Sequence, residues 1–85
     1  MPIPTIEIYS TSTCSHCDAT KALLTEQNYE YTERVIGKDI TAMEFYELVD
    51  NLKVSRTVPQ IFVEGKHIGG FSALKSMLED SSDIL

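Results

Sequence analysis

The run Thr13-Cys14-Ser15-His16-Cys17 carries both cysteines of this 85-residue chain, three positions apart. It stands where a short extended segment gives way to a helical pattern. A disulfide across so few residues would remove little conformational entropy from the unfolded chain, so it would stabilise the fold little. Residues 1–4 show neither the basic segment nor the apolar stretch of a secretion signal. The spacing therefore indicates a dithiol that opens and closes, and not a structural cross-link.

The segments on either side of the dithiol predict four strands and three helices from the periodicity of their apolar residues. In chain order these are a strand over residues 3–9, a helix over 14–27, a strand over 29–36, a helix over 41–52, strands over 60–63 and 66–68, and a helix over 72–78. Thr41 begins the second helix, because Glu44 completes the pattern of a capping box. Gly65 lies between the last two strands and predicts a hairpin.

This β-α-β-α-β-β-α order predicts an α/β fold with one mixed sheet. The first two strands are joined through a helix and should be parallel, whereas the closing hairpin is antiparallel. Helices are expected on both faces of this four-stranded sheet. A chain of 85 residues forms one domain, so residues 1–85 are predicted to fold together.

Composition excludes several classes of function. The formal net charge of −6 argues against nucleic acid as a partner, because phosphate backbones attract basic surfaces. No apolar run approaches the roughly 20 residues of a membrane-spanning helix. With no secretion signal, we expect a cytoplasmic monomer that binds neither nucleic acid nor a membrane.

The two cysteines differ in their predicted surroundings. Cys14 stands at the predicted helix N-terminus, where free backbone N–H groups and the helix dipole favour a thiolate. Cys17 lies one turn further in, where we expect it to be more buried and less acidic. The prediction is that Cys14 is the nucleophile and Cys17 resolves the mixed disulfide. His16, if protonated, would stabilise the Cys14 thiolate; alternatively its ring points to solvent and has no effect.

Three motifs, in register, resemble those of the glutaredoxin family. They are Cys14-Ser15-His16-Cys17, Thr57-Val58-Pro59 and Gly69-Gly70-Phe71-Ser72. The resemblance covers residues 6–78. It implies a thioredoxin fold and a glutathione-dependent thiol–disulfide oxidoreductase that reduces protein disulfides and glutathione mixed disulfides. The short chain and the pairs Cys17-Asp18 and Leu23-Leu24 are similar to small phage-type members.

The resemblance also implies a glutathione site. Val58–Pro59 matches the cis-proline position, where the Val58 backbone pairs with the cysteinyl part of the substrate. Ser72 is expected to cap the last helix, whose N-terminus would hold the γ-glutamyl carboxylate. Ser15, His16 and Pro59 would modulate the active site. The implied glutathione-binding positions are Thr11, Arg56, Thr57, Val58, Pro59, Gly70, Phe71 and Ser72.

Several positions depart from the family pattern. Thr11 stands where members often carry a lysine that meets the glycyl carboxylate, and Ala73 stands where many carry an aspartate that meets the glutamyl ammonium. Ser15 replaces the usual proline of the dithiol motif. Arg56 is the first candidate to supply the missing positive charge, and Lys53 is the second.

Three alternatives stay open at this point. The first is a thioredoxin-like carrier reduced by a flavoprotein reductase. The second is a [2Fe–2S] cluster between two subunits, held by the nucleophilic cysteine and glutathione, which Ser15 would permit. The third is a zinc site, whose four candidate ligands are Cys14, His16, Cys17 and His67.

The main prediction has glutathione as the reductant, no tightly bound cofactor, no metal and a reduction potential of roughly −200 to −230 mV. Disulfide-containing proteins would be the clients, with ribonucleotide reductase suggested by the family.

Overall fold

Four strands and three helices follow one another in the predicted β-α-β-α-β-β-α order. A computed structural model describes residues 5–83, with side chains described to residue 79. The elements are β1 (Ile6–Ser10), α1 (Ser15–Glu26), β2 (Thr32–Val35), α2 (Ala42–Asn51), β3 (Gln60–Val63), β4 (Lys66–Gly69) and α3 (Phe71–Asp83). Residues 1–4, which include the start of the predicted first strand and the stretch on which the expectation of no secretion signal rests, lie outside this range. No helix within it is long and apolar enough to cross a membrane.

The strands form one mixed sheet in the order β2-β1-β3-β4. β1 runs parallel to β2 and antiparallel to β3, and β3 is antiparallel to β4. Ile8 at the centre of β1 lies opposite Glu33 on one side and Ile61 on the other. Glu64 and Gly65 join β3 to β4 with φ values of 54° and 78°, which is the backbone that a two-residue hairpin turn needs. The mixed sheet and the hairpin are therefore confirmed.

One face of the sheet carries the main apolar core, against α1 and α3. Its buried members come from β1, β3 and these two helices, and they are Ile6, Ile8, Leu24, Ile61 and Leu74. The alternation of β1 and β3 sends these strand residues to a single face. The burial of this cluster holds α1, and with it the dithiol, on the sheet.

The opposite face is smaller and aromatic, and it receives α2. The Tyr9 ring lies 5.6 Å from the ring of Phe62 and 6.2 Å from that of Phe45, measured between centroids. Phe45 and Val49 of α2 are buried. Helices therefore lie on both faces of the sheet, as predicted.

The predicted capping box at the start of α2 is confirmed. The Glu44 N–H donates to Thr41 Oγ1, and the Thr41 N–H donates to Glu44 Oε1, each over 3.1 Å. These reciprocal bonds satisfy backbone donors that the first turn of a helix otherwise leaves free.

Two predicted boundaries are wrong. The second strand begins at Thr32, not at residue 29, because the Tyr29 N–H donates to Leu24 O over 2.9 Å and closes the end of α1. Asn28, with a φ of 64°, turns the chain there. The last helix continues to Asp83, five residues past the prediction, because polar residues extend it after the apolar periodicity ends.

Candidate active site

The dithiol lies at the first turn of α1, where Cys14 is the N-cap residue. Its backbone is extended, and its sulfur accepts a hydrogen bond from the Cys17 N–H over 3.0 Å. The two cysteines form a disulfide, with their Cα atoms 5.2 Å apart. Cys14 is half-buried, whereas Cys17 is only 1% exposed. The sulfur of Cys14 therefore takes the place of a capping oxygen and is the one that an incoming disulfide can reach.

An open groove of about 400 Å³ begins beside the dithiol. Its lining residues come from the dithiol motif, the segment before β3 and the first turn of α3, and they are His16, Thr57, Val58, Pro59, Gly70, Phe71, Ser72 and Ala73. His16 is exposed, and its ring centroid lies 6.3 Å from that of Phe71. The groove thus collects six of the eight positions predicted to bind glutathione. Thr11 and Arg56 are not among its lining residues.

The floor of the groove depends on a close approach between two backbone segments. The Val58–Pro59 peptide bond is cis, as the resemblance implied, and Pro59 is buried. A Cβ atom at Gly70 would lie 3.4 Å from the Pro59 carbonyl oxygen, and one at Gly69 would lie only 3.1 Å from Ala73 Cβ. Gly69 also has a φ of 121°, which side-chain-bearing residues rarely adopt. Gly69 therefore permits the tight turn into α3, and Gly70, the residue before that helix, lies against the proline carbonyl.

The predicted cap of α3 is wrong. The helix begins at Phe71, and the Leu74 N–H donates to Gly70 O over 3.1 Å, which places Gly70 and not Ser72 at the N-cap position. Ser72 lies in the first turn. Its backbone N–H belongs to the set of donors that a helix N-terminus turns outward, so this end of the groove still suits a carboxylate.

A buried amide supports the segment that leads to Pro59. Gln60 is 4% exposed, and its Nε2 donates to Thr57 O over 2.8 Å and to Ser55 O over 3.2 Å. Its Oε1 lies 2.6 Å from Nε2 of His67 on β4. Two strands of the sheet are thereby tied to the wall of the groove.

Arg56 is held by α2. Its Nη2 and Nε lie 2.8 and 3.2 Å from the two carboxylate oxygens of Asp50, and its guanidinium carbon lies 4.5 Å above the centre of the Tyr46 ring. The hydrogen bond from Arg56 lowers the pKa of Asp50, and the same bond raises the pKa of Arg56. The first candidate for compensating charge is therefore already paired. Lys53, the second candidate, is exposed just after α2.

A second polar cluster anchors the dithiol helix from the other side. The Ser10 hydroxyl, at the end of β1, donates to Glu33 Oε2 over 2.7 Å, and Lys21 Nζ on α1 lies 3.0 Å from the same oxygen. The Ser10 hydroxyl, and next to it Lys21, lowers the pKa of Glu33. Hydrogen bonding to Glu33 raises the pKa of Lys21. This cluster, which we call the Glu33 clamp, joins β1 and β2 to α1, the helix that begins at the dithiol.

The described residues do not bring the ligands of the zinc alternative together. Within the described part of the chain, no three His, Cys, Asp or Glu residues gather into a group that could hold a metal ion. His67 is turned to Gln60, whereas His16 faces Phe71 across the groove. The four candidate ligands therefore do not converge.

The comparisons with known proteins agree with this geometry. The family model of Glutaredoxin matches residues 6–68. The chain belongs to the glutaredoxin family. It is 37% identical to Glutaredoxin 1 of Rickettsia conorii over 70 residues, which cover 82% of this chain and 68% of that protein. It is 36% identical to Glutaredoxin 3 of Escherichia coli over 72 residues, which cover 85% and 83%.

A solved glutaredoxin structure has the same architecture. The crystal structure of the buckwheat glutaredoxin–glutathione complex matches with a TM-score of 0.76 and 26% identity, covering 92% of this chain and 71% of that one. The family resemblance and the thioredoxin fold that it implied are thus confirmed.

Sequence reasoning missed the residues that support the site. Gln60 and His67 carry polar side chains on two strands that share a hairpin, which was the available signal, but only their register shows that they meet. Asp50 lies inside the predicted helix over residues 41–52, and nothing in the sequence singles it out. Its pairing with Arg56 depends on how the loop after α2 folds back, and no local pattern encodes this.

Proposed function

We propose that this glutaredoxin is a glutathione-dependent thiol–disulfide oxidoreductase that reduces glutathione mixed disulfides and protein disulfides. The observation that carries the proposal is the position of Cys14. Its sulfur caps α1 beside a groove formed by most of the predicted glutathione-binding residues, while Cys17 is buried behind it. The cap position supplies the stabilised thiolate that disulfide exchange requires.

The reaction with a glutathione mixed disulfide uses Cys14 alone. The Cys14 thiolate attacks the glutathione sulfur, a bond forms between these two sulfurs, and the client leaves as a thiolate that takes a proton from solvent. A second glutathione thiolate then attacks the glutathione sulfur bound to Cys14. Glutathione disulfide leaves and the Cys14 thiolate returns. One glutathione thiol is thus oxidised as the client sulfur is reduced, because the other sulfur of the glutathione disulfide was already oxidised in the mixed disulfide.

The reaction with a protein disulfide uses both cysteines. After Cys14 has attacked, the Cys17 thiolate attacks Cys14 Sγ, which releases the reduced client and closes the Cys14–Cys17 disulfide. The short distance between their Cα atoms, 5.2 Å, is compatible with this closure. Two glutathione molecules then return the pair to the dithiol.

The groove offers matching contacts for glutathione. The backbone of half-buried Val58 is available to pair with the cysteinyl unit, and the first turn of α3 presents N–H donors for a carboxylate. The buckwheat relative has been crystallised with glutathione, which supports the same ligand here. We propose that Arg56 contacts the second carboxylate of glutathione, and that it releases the Asp50 carboxylate to do so. We also propose that the protein is a cytoplasmic monomer and that ribonucleotide reductase is among its clients.

The deciding experiment is turnover of a glutathione mixed disulfide with NADPH, glutathione reductase and glutathione. The wild type and Cys17→Ser should be active, and Cys14→Ser should be inactive, because only Cys14 is needed for this reaction. Reduction of a protein disulfide should require both cysteines. Loss of mixed-disulfide turnover in Cys17→Ser with retention in Cys14→Ser would reverse the assigned roles.

The same preparation tests the alternatives. No turnover with glutathione, combined with reduction of the disulfide by a thioredoxin reductase, would make the chain a thioredoxin-like carrier. Visible absorbance after anaerobic reconstitution with iron, sulfide and glutathione would show the [2Fe–2S] alternative.

A further inference from the structure

We propose that Gln60 and His67 are positioning residues for substrate binding, with His67 acting through Gln60 to fix the docking segment, defined as residues 55–59. The inference rests on the proposed function in one respect, since the substrate is taken to be a glutathione mixed disulfide. Neither Gln60 nor His67 lines the groove.

Gln60 is almost fully buried and uses both ends of its amide. The Nε2 group donates to the carbonyl oxygens of Ser55 and Thr57, and it lies 3.3 Å from Thr57 Oγ1. Thr57 lines the groove, and the next residue, Val58, offers the backbone for substrate pairing. Because a buried donor without a partner is costly, the amide restricts the segment to the conformation that provides these carbonyls.

These bonds also determine that Nε2 of the His67 ring carries a hydrogen. Since Nε2 of Gln60 faces two carbonyl oxygens, its Oε1 must be the atom that faces His67, 2.6 Å away. An oxygen accepts, so Nε2 of His67 must carry a hydrogen and donate. His67 thereby prevents the Gln60 amide from turning over. An amide that turned over would present its oxygen to the Ser55 and Thr57 carbonyls.

The position of His67 on the sheet makes the Gln60–His67 contact rigid. His67 pairs with Phe62 in the β3–β4 ladder, and its ring packs edge-on against the Phe62 ring with centroids 5.2 Å apart. The imidazole is therefore held by packing as well as by its hydrogen bond. The hydrogen bond and the packing can be separated by mutation, because phenylalanine preserves the ring and removes the donor.

The test compares His67→Phe with His67→Gln, which restores an N–H donor. We expect His67→Phe to raise KM for the glutathione mixed disulfide about three- to tenfold, the ratio that corresponds to one lost hydrogen bond. The kcat value and the alkylation rate of Cys14 should stay within about twofold, because the dithiol is untouched. His67→Gln should recover most of the affinity.

A second readout does not depend on the substrate. In ¹⁵N relaxation of the reduced protein, the order parameters of the Thr57 and Val58 amides should fall in His67→Phe and recover in His67→Gln. Thr41→Ala is the matched control, because it removes the exposed cap of α2 and destabilises the fold without touching the docking segment. It should leave KM and these order parameters unchanged.

The outcomes separate this inference from the proposed function. If the wild type does not turn over the glutathione substrate, the proposed function fails while the order parameters still test the positioning role. If His67→Phe leaves both KM and the order parameters at wild-type values, the positioning role is overturned. An equal rise of KM in Thr41→Ala would also overturn it, because the effect would then be one of global stability.

Discussion

The two walls of the groove are built in different ways. The dithiol wall, formed by His16 of the dithiol motif, depends on contacts that are local in sequence. Cys14 caps its own helix, and its sulfur accepts a hydrogen bond from a backbone N–H three residues away. The docking wall, formed by Thr57, Val58 and Pro59, is supported from separate elements. The residues on either side of it are fixed by partners elsewhere, since Arg56 is held by Asp50 on α2 and Gln60 by His67 on β4. A nucleophile can therefore be specified by a short motif, whereas the shape that binds its substrate depends on contacts between elements. Changes on one side should alter reactivity, and changes on the other should alter affinity.

On the dithiol side, the Glu33 clamp is a polar contact that joins separate elements. Removing the charge of Glu33 should have the largest effect on stability among the proposed variants. We expect Glu33→Gln to lower the free energy of unfolding at pH 7 by about 1 kcal/mol, the order of a partly exposed bond to a charged group. The pKa of Glu33 is lowered from its ordinary value of 4.5 in the folded protein. Its stabilisation is therefore complete above that value and is lost as the pH falls through the lower folded-state pKa.

Urea unfolding of the reduced protein at pH 7 and at about pH 3 measures this difference. The gap between the wild type and Glu33→Gln should narrow at the lower pH. Glu79→Gln is the control, because Glu79 lies 4.0 Å from Lys75 in a pair that is more than half exposed. It should change stability at neither pH. A gap of equal size at both pH values would show that packing, and not charge, explains the Glu33 effect.

The Asp50–Arg56 pair tests affinity on the docking side, with a smaller effect because both groups are exposed. Arg56→Ala should raise KM for the glutathione mixed disulfide by about two- to fivefold. Asp50→Asn should lower it, since the arginine would then be free to meet the substrate carboxylate. Both effects should shrink as the ionic strength rises.

Arg34→Ala is the matched control for this pair. Arg34 on β2 also pairs with a carboxylate, that of Glu7 over 3.0 Å, but it does not line the groove. Its removal changes the net charge by the same amount as Arg56→Ala and should leave KM unchanged. An unchanged KM in Arg56→Ala would end the idea that Arg56 replaces the lysine absent at position 11.

The difference between the two walls also explains how much the sequence could predict. The order of strands and helices along the chain, the α2 capping box and the place of Cys14 at the N-terminus of α1 follow from short-range patterns, and all three are confirmed. The start of β2 was missed because the bond from Tyr29 to the end of α1 outweighs the β propensity of that residue. The Gln60–His67 contact was missed because it needs the register of two strands. Side-chain partners across elements are set by packing, which one sequence does not display.

His16 tests the dithiol side of the groove, because it belongs to the dithiol motif and also lines the groove. The expected effect is the smallest of those predicted here. A protonated imidazole there would favour the Cys14 thiolate, so His16→Ala should raise the pKa of the Cys14 thiol. We expect the alkylation rate of Cys14 at pH 7 to fall by about twofold, measured against pH in a Cys17→Ser background.

His16→Phe keeps a ring beside Phe71 but carries no charge. If His16→Phe behaves like His16→Ala, the effect is electrostatic and the dithiol wall sets reactivity; if it behaves like the wild type, the ring acts by packing. A fall in the Cys14 pKa in His16→Ala would refute the stabilising role, and the helix N-terminus alone would then account for the reactive thiolate.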